Sequence, residues 1–216
     1  RVTSLMANLG VPVGYWRSVG HSHTAFAVEC FVDELAKRAD VDPVEFRRGL
    51  LSHLPRYREV LDLAAEKAGW GTPLPAGRAR GVAFHESFGS QVAEVAEVSI
   101  DGGKVRVHRV VVAAHCGTVV HPDLVRAQLE GAVVFGLSAA LHGGISVEGG
   151  KVKESNFHDA PVLRMAEMPT IECHLVPSID PPGGVGEVGT PPIAPAVANA
   201  VFALTGAPVR RLPIRV

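Results

Sequence analysis

The chain has 216 residues, 47% of them hydrophobic and 20% charged, close to the globular average, which argues against disorder. Lys and Arg number 21 against 22 Asp and Glu, so there is no basic footprint for nucleic acid or an anionic membrane. The length admits one large domain or two small ones with a real core.

Residues Arg1–Ala7 are too few and too polar for a secretory signal and open without Met; any targeting signal is expected upstream. No apolar run is expected to reach bilayer-spanning length. Residues 8–23, NLGVPVGYWRSVGHSH, read as a Gly-, Pro- and His-rich loop. A helix is expected from Thr24 to Ala39, with Phe26, Cys30, Phe31 and Leu35 on its apolar face. Asp42-Pro43-Val44-Glu45 is a helix start, with a cap, Pro at the first position and Glu at the third. A further helix fits Arg56–Ala68, stopped by Gly69.

Residues 71–80 read as an irregular connector. The period then changes to that of Val-rich strands at 81–87, 91–100 and 105–113, with Asp101-Gly102-Gly103 as a hairpin turn. Pro122 opens a helix to Leu141. Gly131 and Gly136 inside it each cost about 1 kcal/mol against Ala, which points to close approach of another backbone or ligand, or to helix packing. Glu148-Gly149-Gly150-Lys151 is a second hairpin, and 170–176 a further strand. The fold class is α+β: mixed or antiparallel sheets with packed helices. Cys30, Cys116 and Cys173 form no C-x-x-C pair and are expected to be small buried apolar residues. His21-Ser22-His23 with His115 and His121 offers a histidine metal site, though no third ligand is fixed by spacing.

The segment from Pro181 to Pro195 carries the most chemistry. Gly183, Gly184, Gly186 and Gly189 surround one acid, Glu187, and glycines let backbone N–H groups approach a ligand. Thr190 is expected to cap a helix over 191–204, Pro191 at its first position and Gly206 at its stop. That N-terminus favours anions, so an acid beside it also has the plain reading of complementing the helix dipole. No Gly-Lys-Ser/Thr follows the glycines, which excludes a P-loop, and no strand leads into a G-x-G-x-x-G turn.

GGVGEVGTPPIAPAVANAVFALTG resembles the C-terminal signature of the xanthine dehydrogenase and aldehyde oxidase family of molybdenum hydroxylases, and most of all the large (beta) subunit of isoquinoline 1-oxidoreductase-like bacterial enzymes. VPVGYWRSVGHSHTAFAVECFVDELA, RAQLEGAVVFGLSAAL and SNFHDAPVLRMAEMPTIECHLVPS resemble further segments of that family in the same order. The resemblance implies the C-terminal portion of a molybdopterin-binding subunit. Residues 1–70 would form a pocket loop and helical segment, and 71–216 an α+β molybdopterin-binding segment bearing the base glutamate. It implies hydroxylation of an N-heterocycle or aldehyde with water-derived oxygen, electrons leaving through iron–sulfur clusters.

Residue by residue, it implies Glu187 as the catalytic base and Gly186 as the flank that lets the backbone approach the cofactor. Gln128 would be the cofactor-contacting amide, and Trp16 and Arg17 the aromatic–Arg pair of the substrate pocket. Molybdenum–molybdopterin, in the cytosine dinucleotide form, is the implied cofactor. The implied partners are an N-terminal half of the same subunit and a small [2Fe-2S] subunit, with a bacterial cytoplasm or periplasm as the setting. The competing reading is a non-catalytic or split-subunit interaction piece, inactive alone. The chain departs from the family pattern at Val188, His115 and His121, where Pro, Asp and Asn are expected; the altered Asp and Asn positions could be structural caps.

Overall fold

The computed structural model describes Thr3, Leu5 and residues 13–216; the expectations for the rest of Arg1–Ala7 and for loop residues 8–12 lie outside the described residues. Helix α1 spans Gly20–Arg38, starting four residues before the expected Thr24. Ser18 and Val19 both adopt positive φ, 71° and 44°. They fold the chain into a turn closed by Val19 N–H on Trp16 O and His21 N–H on Ser18 O, and the helix follows at once.

The expected apolar face of α1 also needs correction. Phe26 and Cys30 pack into the core, but Phe31 and Leu35 are exposed. The buried face is Ala25, Glu29, Cys30, Asp33 and Ala36. Two acids replace apolar residues there because Arg47, itself buried, meets both: Nε on Glu29 Oε2 and Nη1 on Asp33 Oδ1, each at 2.8 Å. Arg47 comes from α2, Pro43–Leu50, whose cap Asp42 accepts from the N–H groups of Val44 and Glu45 as its sequence indicates. Helix α3, Pro55–Ala68, ends at Gly69 in the left-handed region.

The main sheet runs β1-β2-β3-β6: β1 Arg78–Ser87, β2 Ser90–Asp101, β3 Lys104–His115 and β6 Thr170–Leu175. The first three are an antiparallel meander, and β6 adds parallel to β3. The expected connector over 71–80 is three residues shorter, because Arg78–Arg80 already pair with Glu97–Ser99. Gly102 and Gly103 make the β2–β3 turn, both at positive φ, as a two-residue hairpin requires. A second small hairpin joins β4, Val147–Glu148, to β5, Lys151–Val152.

Alternation along the strands sends side chains to two cores. Val92, Ala96, Val110, Val112 and Ala114 face α4, Pro122–Leu141, and α5, Thr190–Thr205. Ala93, Val95, Val111 and Ala113 face α3. Helix α4 corrects another expectation: by length and composition it is long and apolar enough to cross a membrane. Part of that apolar content packs inward, with Val125, Leu129, Ala132, Val133, Leu137 and Ala140 buried. Gly136 is a packing glycine, since a Cβ there would collide with Ile193 of α5.

Candidate active site around Glu187

The loop before α5 is stitched to two other turns. Gly183 N–H donates to Cys116 O and Gly184 N–H to Phe88 O, both at 2.8 Å. The Ser90 hydroxyl donates to Gly184 O at 2.7 Å. Gly183 lies so close to Gly89 and Ser90 that a Cβ would collide with both. Thr190 is not the cap of α5. Its N–H closes a turn onto Glu187 O, which draws it inside the helix; Gly189 takes the cap position without a side-chain bond.

Glu187 is held from the other end of the chain. The Ser18 N–H donates to Glu187 Oε2 at 2.5 Å, and the Ser18 hydroxyl to Glu187 O at 2.5 Å. Ser18 is fully buried. Next to it, Arg17 donates from Nε and Nη2 to Gly186 O at 3.1 and 2.5 Å, and from Nη2 to Gln128 Oε1 at 3.2 Å. Its guanidinium also lies 5.6 Å from the centre of the Phe135 ring, which stacks at 4.9 Å on Trp16. Trp16, Arg17, Gln128, Gly186 and Glu187 therefore converge.

Ser18 and Phe135 were missed from sequence. Phe135 was within reach of helical spacing: Gln128, Gly131 and Phe135 lie three and four residues apart, hence on one face of α4. Gly131 leaves that face low beside Arg17, whose Nη1 would lie 3.9 Å from a Cβ there. Ser18 carried no signal beyond adjoining Trp16-Arg17.

A cleft of about 330 Å³ opens at Gln128, lined also by Leu124 and His121 of the α4 start, by Cys116 and Val119, and by Pro182, Gly183 and Val185 of the loop. Burial pushes the Cys116 thiol up, so it lines the cleft as a neutral group. His121 fills the position of the expected Asn and does its capping: its Nδ1 accepts from Leu124 N–H. His115 is buried and accepts from Gly117 N–H. Val188 is buried in the main core. His21 pairs with His85, Nδ1 to Nε2 at 2.9 Å. Among the described residues no three His, Cys, Asp or Glu side chains are grouped to hold a metal ion.

The residues present fit a large polar cofactor. Gly186 has nothing within 4 Å of a Cβ position, leaving an open face beside Glu187. With Oε1 committed to Arg17, the Gln128 amide has its NH₂ to donate, and that side chain is exposed on the cleft.

A mixed four-stranded sheet covered by helices is a fold this chain shares with solved aldehyde oxidoreductases. The enzyme from Desulfovibrio desulfuricans matches at a TM-score of 0.69 and 15% identity, over 92% of this chain and 40% of that one. The family model described as molybdopterin cofactor-binding domain matches residues 27–169, and the chain belongs to that family. It is 38% identical, over its whole length, to the isoquinoline 1-oxidoreductase subunit beta of Brevundimonas diminuta. Over 94% of the chain it is 34% identical to a membrane-bound aldehyde dehydrogenase (pyrroloquinoline-quinone) of Gluconacetobacter polyoxogenes. It spans 28% and 29% of the lengths of these two relatives.

Proposed function

We propose that Glu187 is the general base of a molybdopterin-dependent hydroxylase, and that this chain supplies the base, one cofactor contact and one wall of the substrate pocket. The observation that carries the reading is the double hold on Glu187 by Ser18 beside the Arg17 link between Gly186 and Gln128. That link ties the base loop to the helix bearing the cofactor-side amide. The molybdenum–molybdopterin group, when bound, supplies the redox chemistry. Gln128 and the open backbone face at Gly186 would hold it, in the cytosine dinucleotide form.

Glu187 takes a proton from the attacking hydroxyl. Oε2 already accepts the Ser18 N–H, so Oε1 is the freer of the two oxygens to take the proton. Holding the carboxylate at a fixed angle is what a general base requires of its surroundings. The tilted pair of Trp16 and Phe135 presents aromatic surface suited to a planar substrate, and Arg17 fixes the Phe135 side of that wall. The substrate class is an N-heterocycle or an aldehyde, in keeping with the names of the relatives. The remaining cofactor contacts come from an N-terminal half of the subunit, and electrons leave to a small [2Fe-2S] subunit. The test is Glu187→Gln in the complete protein, read as turnover per bound molybdenum.

A further inference from the structure

Strand β2 carries two glutamates that meet different surroundings. Glu97 pairs with Arg78 at 2.8 Å. Glu94 is 0% exposed, and neither carboxyl oxygen has a hydrogen-bond partner among the described residues. Elsewhere this protein buries acids only with a cation: Glu29 and Asp33 share Arg47. An unpartnered carboxylate in a dry core is far costlier than the same group carrying its proton.

Glu94 lies directly under the base loop. Its Oε1 and the Leu129 carbonyl oxygen each lie 3.4 Å from the position of a Cβ on Gly189, and Ala132 Cβ lies 3.2 Å from it. Gly189 caps α5 two residues after Glu187, so the carboxyl of Glu94 and one turn of α4 form the floor of the Glu187 turn. The neighbouring strands place Ala83 and Val112 opposite Glu94. The titratable and charged groups around this part of the core are Cys173 on β6, Glu130 and Arg126 on α4, and Glu187 on the loop. The one cation among them, Arg126, makes its ion pair with Asp123 on its own helix.

We infer that Glu94 stands protonated in the folded protein and is a positioning residue for Glu187, its neutral carboxyl supporting the Gly189 turn and its ionisation displacing it. The inference rests on reading Glu187 as the base. Loss of the proton to solvent leaves a buried carboxylate with no donor, and the turn must move to admit water. Burial holds the Glu94 carboxyl well above its ordinary range. Between the unfolded and folded values the folded state therefore binds the extra proton. Its contribution is full below the unfolded value and is lost as pH rises toward the folded one, a tenfold change in the unfolding constant per pH unit.

The experiment compares the complete protein and its Glu94→Gln variant from pH 5 to 9, by denaturant unfolding and by turnover per bound molybdenum. Gln keeps the shape and has no proton to lose. The variant is expected to gain on the parent by about tenfold in unfolding constant per pH unit, and to keep turnover at alkaline pH where the parent declines. Parallel unfolding curves would overturn the protonated state. Diverging unfolding curves with superimposable kcat profiles would overturn the positioning role. Should the variant fail to fold, infrared spectroscopy of the parent decides: a carboxylic-acid C=O band persisting at pH 7 supports the inference, and its absence sinks it. The unfolding and infrared results do not depend on Glu187, so loss of the base assignment, seen as an active Glu187→Gln, is separable from loss of this one.

Discussion

Ser18 and Glu187, 169 residues apart, hold each other at two points: main-chain N–H to carboxylate Oε2 and side-chain hydroxyl to main-chain oxygen, both at 2.5 Å. Ser18 achieves this at a φ of 71°, a left-handed conformation that costs an L-residue roughly 1–2 kcal/mol. The strained turn aims the N–H at the carboxylate, and the hydroxyl then secures the loop.

That division of labour separates two variants. Ser18→Gly loses the hydroxyl bond but relieves the φ, so its stability is expected to stay within about 1 kcal/mol of the parent. Ser18→Ala loses the bond and keeps the strain, costing about 1–2 kcal/mol. Both keep the N–H on Oε2, so turnover falls less than tenfold in each. Denaturant melts and steady-state kinetics check this; a loss in Ser18→Gly as deep as that of Glu187→Gln would show that the hydroxyl, not the N–H, aims the base.

Glu187→Gln itself keeps the shape of the side chain and the acceptor oxygen for Ser18. Fold and molybdenum content are expected to stay near parental values while turnover falls by roughly 10²–10⁴, the usual worth of a general base. Turnover within tenfold of the parent would remove Glu187 from that role.

Gln128→Ala removes both the cleft amide and one acceptor of Arg17. Molybdenum occupancy is expected to drop more than turnover per bound molybdenum, with some slackening of the Gly186 contact adding a rise in KM. Metal analysis alongside kinetics measures the split, and a fully loaded Gln128→Ala protein would contradict the cofactor contact.

Arg47→Met strips the cation from two buried acids at once. Breaking a buried pair from one side costs about 3–5 kcal/mol, or roughly 6–20 °C in melting temperature for a domain of this size. Glu29 also accepts the Phe84 N–H of β1, so the damage spreads to the α1–sheet seam. Scanning calorimetry of the two proteins is the measurement.

His85 gives an acid-side prediction. Burial first, and the neighbouring His21 second, lower its value to about 4. The unfolded chain takes up a proton near the ordinary value of 6.5 and the folded protein does not, so stability present above pH 6.5 is lost progressively as pH falls toward 4. His85→Gln can still bond His21 without titrating. Its melting temperature is expected to fall less than the parent's between pH 7 and 5; equal slopes would mean that His85 takes up its proton in the fold as readily as in the unfolded chain.

What the sequence determined is local. Asp42-Pro43 starts α2, Pro122 starts α4, Gly69 and Gly206 stop their helices, and Gly102-Gly103 turns the hairpin, because each depends on φ, ψ and hydrogen bonds within a few residues. The resemblance carried by the four motifs marked Glu187, Gln128, Trp16 and Arg17 individually. Tertiary structure alone decided that they meet, that Ser18 clamps Glu187 and Phe135 backs Trp16, that Phe31 faces solvent while Glu29 and Asp33 are buried, and that Glu94 lies without a partner beneath the loop. Hydrophobic periodicity assigns a face by polarity. A buried acid is placed instead by whether a distant cation such as Arg47 reaches it, and that distance is set only when the helices pack.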